Sequence, residues 1–287
     1  MMRKLGLLAG MVGAAFATPA VATQWLSDNA SAAVAVSACN NTTTPAVMPG
    51  TCQMTMAATS GTGTGTVKVR AYSTRTSDHS QNGIWQSADI HMYQGGFGVT
   101  NLVAGDTGEG ITPEHAVDNN QVYDVLVFEL PSTGMDIDSF RLGWAQESGN
   151  NWADVQTWFG GNNLASNFDF STVCFTSTCS GGTQLANLGG GFTDITSTMK
   201  INGTSIFNGG DNNVPVGQQV DFSGTQSGQY LVVAGRLGDS FDNFKVDMLK
   251  ASGGGPGGQT PVPGTLALLG LGLAGLVSIK KRRPASA

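Results

Sequence analysis

The chain has 287 residues, with 20 acidic and 14 basic side chains, 41 glycines and four cysteines. The charge is unevenly placed. Arg3, Lys4, Lys280, Lys281, Arg282 and Arg283 lie at the two ends, so residues 23–263 carry 8 basic against 20 acidic residues, a net charge of −12 with His neutral. A body of that sign repels nucleic acid and anionic lipid, which excludes a nucleic-acid partner.

Residues 1–22 read as a secretion signal. Arg3 and Lys4 form a positive start, the run from Leu5 to Ala17 is uncharged and mostly apolar, and Ala20-Val21-Ala22 places small residues two apart, the pattern that signal peptidase reads. Cleavage is expected after Ala22, with Ala17 as the alternative. Residues 23–66, rich in Thr, Ala and Gly, read as a looser N-terminal region.

Residues 67–250 are expected to form one all-β domain, a sandwich or jelly roll. Frequent Gly, Thr, Ser and Asn disfavour helices, and no segment keeps a helical period for three turns. Short alternating runs bounded by Gly, Asn, Asp and Pro recur instead. Val67, Val69 and Ala71 alternate, as do Ile90 and Met92, then Leu126, Phe128 and Leu130. Phe140, Leu142 and Trp144 follow, then Val155 to Phe159, Val220 and Phe222, Tyr230 to Ala234, and Phe244, Val246 and Met248. Many short strands with turn-rich links imply two packed sheets. Residues 160–217 read as a loop-rich excursion. Glu129, in an alternating strand, is expected to face the surface.

Cys39, Cys52, Cys174 and Cys179 make an even count in an exported body, which suggests disulfides. The local pairings Cys39–Cys52 and Cys174–Cys179 are favoured among the three pairings open to four cysteines, since each would close a short polar loop. A zinc site would call for tighter spacing and His neighbours.

Several clusters are candidate sites. Glu114, His115, Asp118 and Asn119 lie within six positions and offer ligands for a metal or small molecule; Pro113 and the Asx residues equally fit a plain turn. Asn150, Asn151 and Asp154, then Asp211, Asn212 and Asn213, then Asp239, Asp242 and Asn243, suit a structural Ca²⁺, which takes about six to eight oxygens from such loops. None matches a D-x-[DN]-x-[DN]-G loop. Trp85, Trp144, Trp152, Trp158 and Tyr93 can line a sugar-binding face. Trp144 and Trp158 stand in strand-like runs that favour the core, which leaves Trp152 as the glycan candidate. Catalysis finds little support: there is no G-x-S-x-G and no H-E-x-x-H, and the chain has three His. Gly270, Gly272 and Gly275 match G-x-G-x-x-G but sit in an apolar run, outside any strand–turn–helix unit. The expectation is a protein that is not an enzyme.

The C-terminus repeats the logic of the start in reverse. Residues 251–260 are a Gly-rich linker. Pro261, Val262 and Pro263 follow, then an uncharged apolar stretch, residues 264–279, expected to be a transmembrane helix, and the basic cluster Lys280, Lys281, Arg282 and Arg283. That cluster can snorkel to headgroups and hold its end on the cytoplasmic side. Residues 261–287 resemble the PEP-CTERM sorting tail, in which a Pro-containing motif, an apolar helix and a basic cluster occur in that order; Val262 stands where the family carries Glu. The resemblance implies processing by an exosortase, a membrane protease.

A second resemblance lies in the body. TPEHAVDN at residues 112–119, YDVLVFEL at 123–130, LGW at 142–144 and DVQTWFGG at 154–161 follow a progression similar to that of exosortase-dependent surface proteins. That family implies no catalytic residues. It implies export across the inner membrane to the cell surface or the medium, held for a time or lastingly by the tail, and association with exopolysaccharide. Two functions are therefore expected in parallel: a non-catalytic surface or matrix protein, or a lectin-like module that binds glycan with calcium.

Overall fold

The computed structural model describes residues 22–26, 33–36, 53–60, 65–74, 83–93, 95–101, 116–120, 122–176, 179, 181–208, 211–224, 227–238 and 242–253. Residues 1–21 of the secretion signal, Cys39, Cys52, Glu114, His115, Pro261, Val262, Pro263 and the basic cluster Lys280, Lys281, Arg282 and Arg283 lie outside them. Among the described residues the regular structure is β, apart from two short 3₁₀ turns.

Two antiparallel sheets form the fold. The first runs in the order Ala33–Val36, Gln53–Ser60, Thr66–Thr74, Asp124–Glu129, Tyr230–Gly235, Val155–Gly160 and Phe192–Asp194. In the second, the long strands Asn243–Gly253 and Met135–Gln146 pair along their lengths. Thr23–Leu26, Gly96–Thr100 and Val117–Asp118 flank Asn243–Gly253. Gln219–Phe222 and Ser227–Gly228 flank Met135–Gln146, with Met199–Ile201 and Thr204–Ser205 beyond. The strand Trp85–Tyr93 ties the sheets together. Its first half pairs with Thr66–Thr74 and its second half with Gly96–Thr100.

The core between the sheets comes from the expected alternation. Val67, Val69, Ala71, Leu126, Phe128, Leu231 and Val233 pack with Phe140, Leu142, Phe244, Val246 and Val220. Strands earlier in the chain belong to it as well: Trp25 and Met56 are buried members, so Thr23–Leu26 and Gln53–Ser60 are part of the sandwich, not a looser region before it.

Two strand readings differ from the sequence pattern because of β-bulges. In the ladder between the two long strands the register shifts around Gly143 and Asp247. Each extra residue reverses the alternation that follows it. Ala145 therefore points into the core where Trp144 was expected, and Leu249 and Ala251 take the place expected of Met248. Trp144 lies on the outer face, partly exposed, with the Lys245 ammonium 5.2 Å from its ring centre. Gly143 is required at its bulge: a Cβ there would meet the Gly95 carbonyl at 2.5 Å and Asp247 Oδ2 at 2.7 Å.

The excursion at residues 160–217 has a structural task that its composition does not announce. It covers the outer face of the first sheet and creates a second apolar cluster. Phe170, Val173, Phe175, Leu185 and Leu188 pack there on Tyr72, Val125, Val127, Trp158, Tyr230 and Val232. Phe175 meets the ring of the wholly buried Trp85 edge-on at 4.9 Å. The Cys174–Cys179 disulfide lies within this cover, as expected. A sheet covered on both faces reads as continuous apolar strands, which is why Asp124–Glu129 is buried at every position.

Glu129 is accordingly buried, contrary to the surface position expected of it. Its carboxylate accepts from Lys68 Nζ at 2.9 Å, Arg70 Nη2 at 3.0 Å, Ser166 Oγ at 2.7 Å and the Asn167 N–H at 3.1 Å. Burial pushes its pKa up, but the hydrogen bonds from Ser166 and Lys68 and the charge of Lys68 outweigh that, and it sits below the usual carboxylate value. A depressed carboxylate stabilises the fold above its unfolded pKa, and that contribution is lost as pH falls through the folded value. Glu129→Ala, which strands the buried Arg70 charge, should cost about 3–5 kcal/mol in urea unfolding at pH 7. The gap between variant and parent should narrow as the pH is lowered below 4.

Candidate functional site

Three separate stretches of Asp and Asn meet at one end of the sandwich. Asn119 follows the short strand Val117–Asp118, Asp154 precedes Val155–Gly160, and Asp242 precedes Asn243–Gly253. All three are buried. Asn212 joins them from the loop before Val214–Pro215. Residues of this kind collect at strand ends because a short polar side chain can satisfy backbone groups that no neighbouring strand reaches.

The partners are specific. The Asn119 side chain donates to Asp242 Oδ2 at 2.9 Å and to the Arg236 carbonyl at 3.1 Å, and its Oδ1 accepts from the Asp242 N–H at 2.9 Å. Asp242 Oδ1 accepts from the Asp154 N–H at 2.7 Å. Asp154 Oδ1 accepts from the N–H groups of Asn212 and Asn213 at 2.8 and 2.7 Å. Asn212 Oδ1 accepts from the Val155 N–H at 2.9 Å. Arg236 stands at the rim, with Nη1 3.7 Å from Asp154 Oδ2 and 2.6 Å from Asp211 Oδ1.

Glu147, at the end of the other long strand, completes a group of three carboxylates. Glu147, Asp154 and Asp242 bring one oxygen each within 4.8 Å of one another. The Asp242 carboxyl is pushed up to about 7. Its burial is the main cause; the negative charges of Asp154 and Glu147 add to it, and the hydrogen bonds from the Asp154 N–H and Asn119 oppose it. Asp242 therefore holds its proton to higher pH than an ordinary carboxyl does. A hard divalent ion such as calcium suits an all-oxygen donor set of this kind.

The residues singled out from the sequence divide here. Asp118 makes a local turn, accepting from the Asn120 N–H at 3.0 Å, while its neighbour Asn119 reaches across 123 positions to Asp242. Of the Asx clusters, Asp154, Asn212, Asn213 and Asp242 converge, while Asn150 and Asn151 sit exposed in the turn after Glu147. Trp152 is partly buried and paired with Pro215 in a two-residue ladder. Trp85 and Trp158 are buried in the second apolar cluster. Glu147 and Arg236 had no sequence signal, since each becomes part of the site only when distant strands meet.

Over residues 259–283 the chain matches the family model of the PEP-CTERM protein-sorting motif. No curated protein and no solved structure matches the chain.

The carboxylate group gives stability a distinctive pH dependence. A carboxyl raised from 3.8 to about 7 binds its proton more tightly when folded, so it favours the folded state fully below the unfolded value, and that advantage is lost as pH rises through 7. Without divalent cations, unfolding free energy should fall by an amount on the order of 3 kcal/mol between pH 4 and pH 8. In Asp242→Asn, thermal melts should be flatter across the same window.

Proposed function

We propose that this chain, which carries a PEP-CTERM sorting tail at residues 259–283, is a non-catalytic protein of the cell surface or extracellular matrix, released from its tail by an exosortase and associated with the exopolysaccharide layer. The observation that carries this reading is the order of parts. An N-terminal positive and apolar segment precedes an acidic β-sandwich, and a Gly-rich linker joins the sandwich to the matched tail. Export implies a fold that survives without cellular reductant, and the Cys174–Cys179 disulfide in the cover over the first sheet accords with that. A non-catalytic role is supported by the way the carboxylates are used. Both Asp154 and Asp242 accept hydrogen bonds from backbone N–H groups of neighbouring segments, so they fasten strand ends.

The test is the intact mass of the chain recovered from the cell surface and from the medium, before and after reduction. A chain that begins near Thr23, ends near Pro263 and gains about 4 mass units on reduction, as two disulfides open, is expected. Replacing Lys280, Lys281, Arg282 and Arg283 together by Gln should abolish the trimmed C-terminus. A trimmed C-terminus that persists in this variant would remove the sorting reading.

A second reading is favoured by the three converging carboxylates: a lectin-like module in which calcium occupies the place that the Asp242 proton takes otherwise. Calcium at about 1 mM, a concentration typical of weak extracellular sites, should raise the melting temperature at pH 8, and Asp242→Asn should remove the rise. An equal melting temperature with calcium and with EDTA would tell against it.

A further inference from the structure

Arg236 has a second environment besides the carboxylates. Together with Phe207 and Leu237 it lines a cleft of about 380 Å³ on the outer side of the Val155–Gly160 edge. Gln156, Asp194, Thr196 and Ser197 line the rest. Phe207 is 38% exposed, the exposed large hydrophobic side chain among the described residues. The cleft sets this ring beside polar side chains, an arrangement that suits a ligand with one apolar face and many polar edges.

The polar groups around it are already fixed. Gln156 Nε2 donates to Asp194 Oδ2 at 2.7 Å, and Gln156 Oε1 accepts from the Leu237 N–H at 3.2 Å. Asp194 Oδ1 accepts from the Thr196 N–H at 2.9 Å, and Arg236 is anchored on Asp211 at 2.6 Å. A ligand therefore meets planar amide, carboxylate and guanidinium groups held in place, and little ordering cost is incurred on binding.

We propose that this cleft binds a neutral polysaccharide. A sugar ring offers a face of C–H groups, slightly positive, that stacks on the negative face of an aromatic ring. Its adjacent hydroxyls pair with planar two-point partners such as the side chains of Gln156, Asp194 and Arg236. The lining carries one cation and one anion, so it selects for neither charge, while the surrounding body at −12 repels anionic chains. The volume fits about one or two sugar rings, at the lower end of ligand sites, so the chain is gripped at one or two units. This deepens the lectin-like reading and moves the glycan contact from Trp152 to Phe207.

The experiment is affinity electrophoresis of the mature chain recovered from the cell surface, in native gels that contain dextran, laminarin, mannan, galactomannan or, as the anionic counterpart, alginate. Retardation is expected on at least one neutral polymer and not on alginate. Phe207→Ala, which removes an exposed ring and leaves the core intact, should weaken that retardation about tenfold or more. Gln156→Ala should weaken it as well. Retardation that persists in EDTA supports the cleft and tells against calcium assistance. Retardation lost in EDTA but sensitive to Phe207→Ala supports both. No retardation on any neutral polymer, retardation confined to alginate, or a Phe207→Ala chain that binds like the parent would overturn the proposal.

Discussion

In a fold built of strands, the backbone groups at strand ends have no helix to absorb them, and every buried one requires a partner. This requirement governs where the acidic residues of the body can be. Asp154 caps the loop that carries Asn212 and Asn213, Asp242 holds the N–H of Asp154, and Asn119 is locked to Asp242 in both directions. Glu129 does the same for the excursion by accepting the Asn167 N–H. The carboxylates thus act first as fasteners between segments distant in sequence. Their crowding, and the raised pKa of Asp242, is a consequence of three strand ends being fastened at one place.

The same constraint explains which parts of the structure are legible in the sequence. Alternation in Leu126 and Phe128, or in Val220 and Phe222, is a local property, and the core follows it. Alternation fails at Trp144 and Met248 because the bulges at Gly143 and Asp247 add a residue to the ladder. A bulge depends on the partner strand about 100 positions away, so no window on either strand reveals it. Glu129 escaped for a different reason. Glu129 shares a face with Val125 and Val127, and what buries that face is a cover that the chain lays down some 35–60 residues later.

The candidate site was legible in kind and not in place. Asx residues gather before strands, and their composition suggests oxygen ligands wherever they occur. Which of them converge depends on topology: Asp118 and Asn119 are adjacent, yet one serves its own turn and the other a strand 123 positions on. Phe207 carried no signal, because an aromatic residue between short strands reads as core. Its exposure follows from its position beyond the hairpin Met199–Ile201 and Thr204–Ser205 at the sheet margin, where no further strand among the described residues covers it.

Arg236 joins these two levels. Its N–H is fixed by the Asp154 carbonyl and its carbonyl by Asn119, so the backbone that presents its guanidinium is set by the carboxylate knot. Its side chain spans the rim: Nη1 pairs with Asp211 at 2.6 Å and lies 3.7 Å from Asp154 Oδ2, and the same residue lines the cleft with Gln156 and Phe207. A change of charge in the knot therefore reaches both the scaffold beneath the cleft and, through Arg236, its lining. The groups that line the cleft stay open to water, while the buried carboxylates that order the backbone beneath them are shielded from it. Among the described residues, strand-end hydrogen bonds thus hold the polar groups of the cleft in place with no helix longer than a 3₁₀ turn.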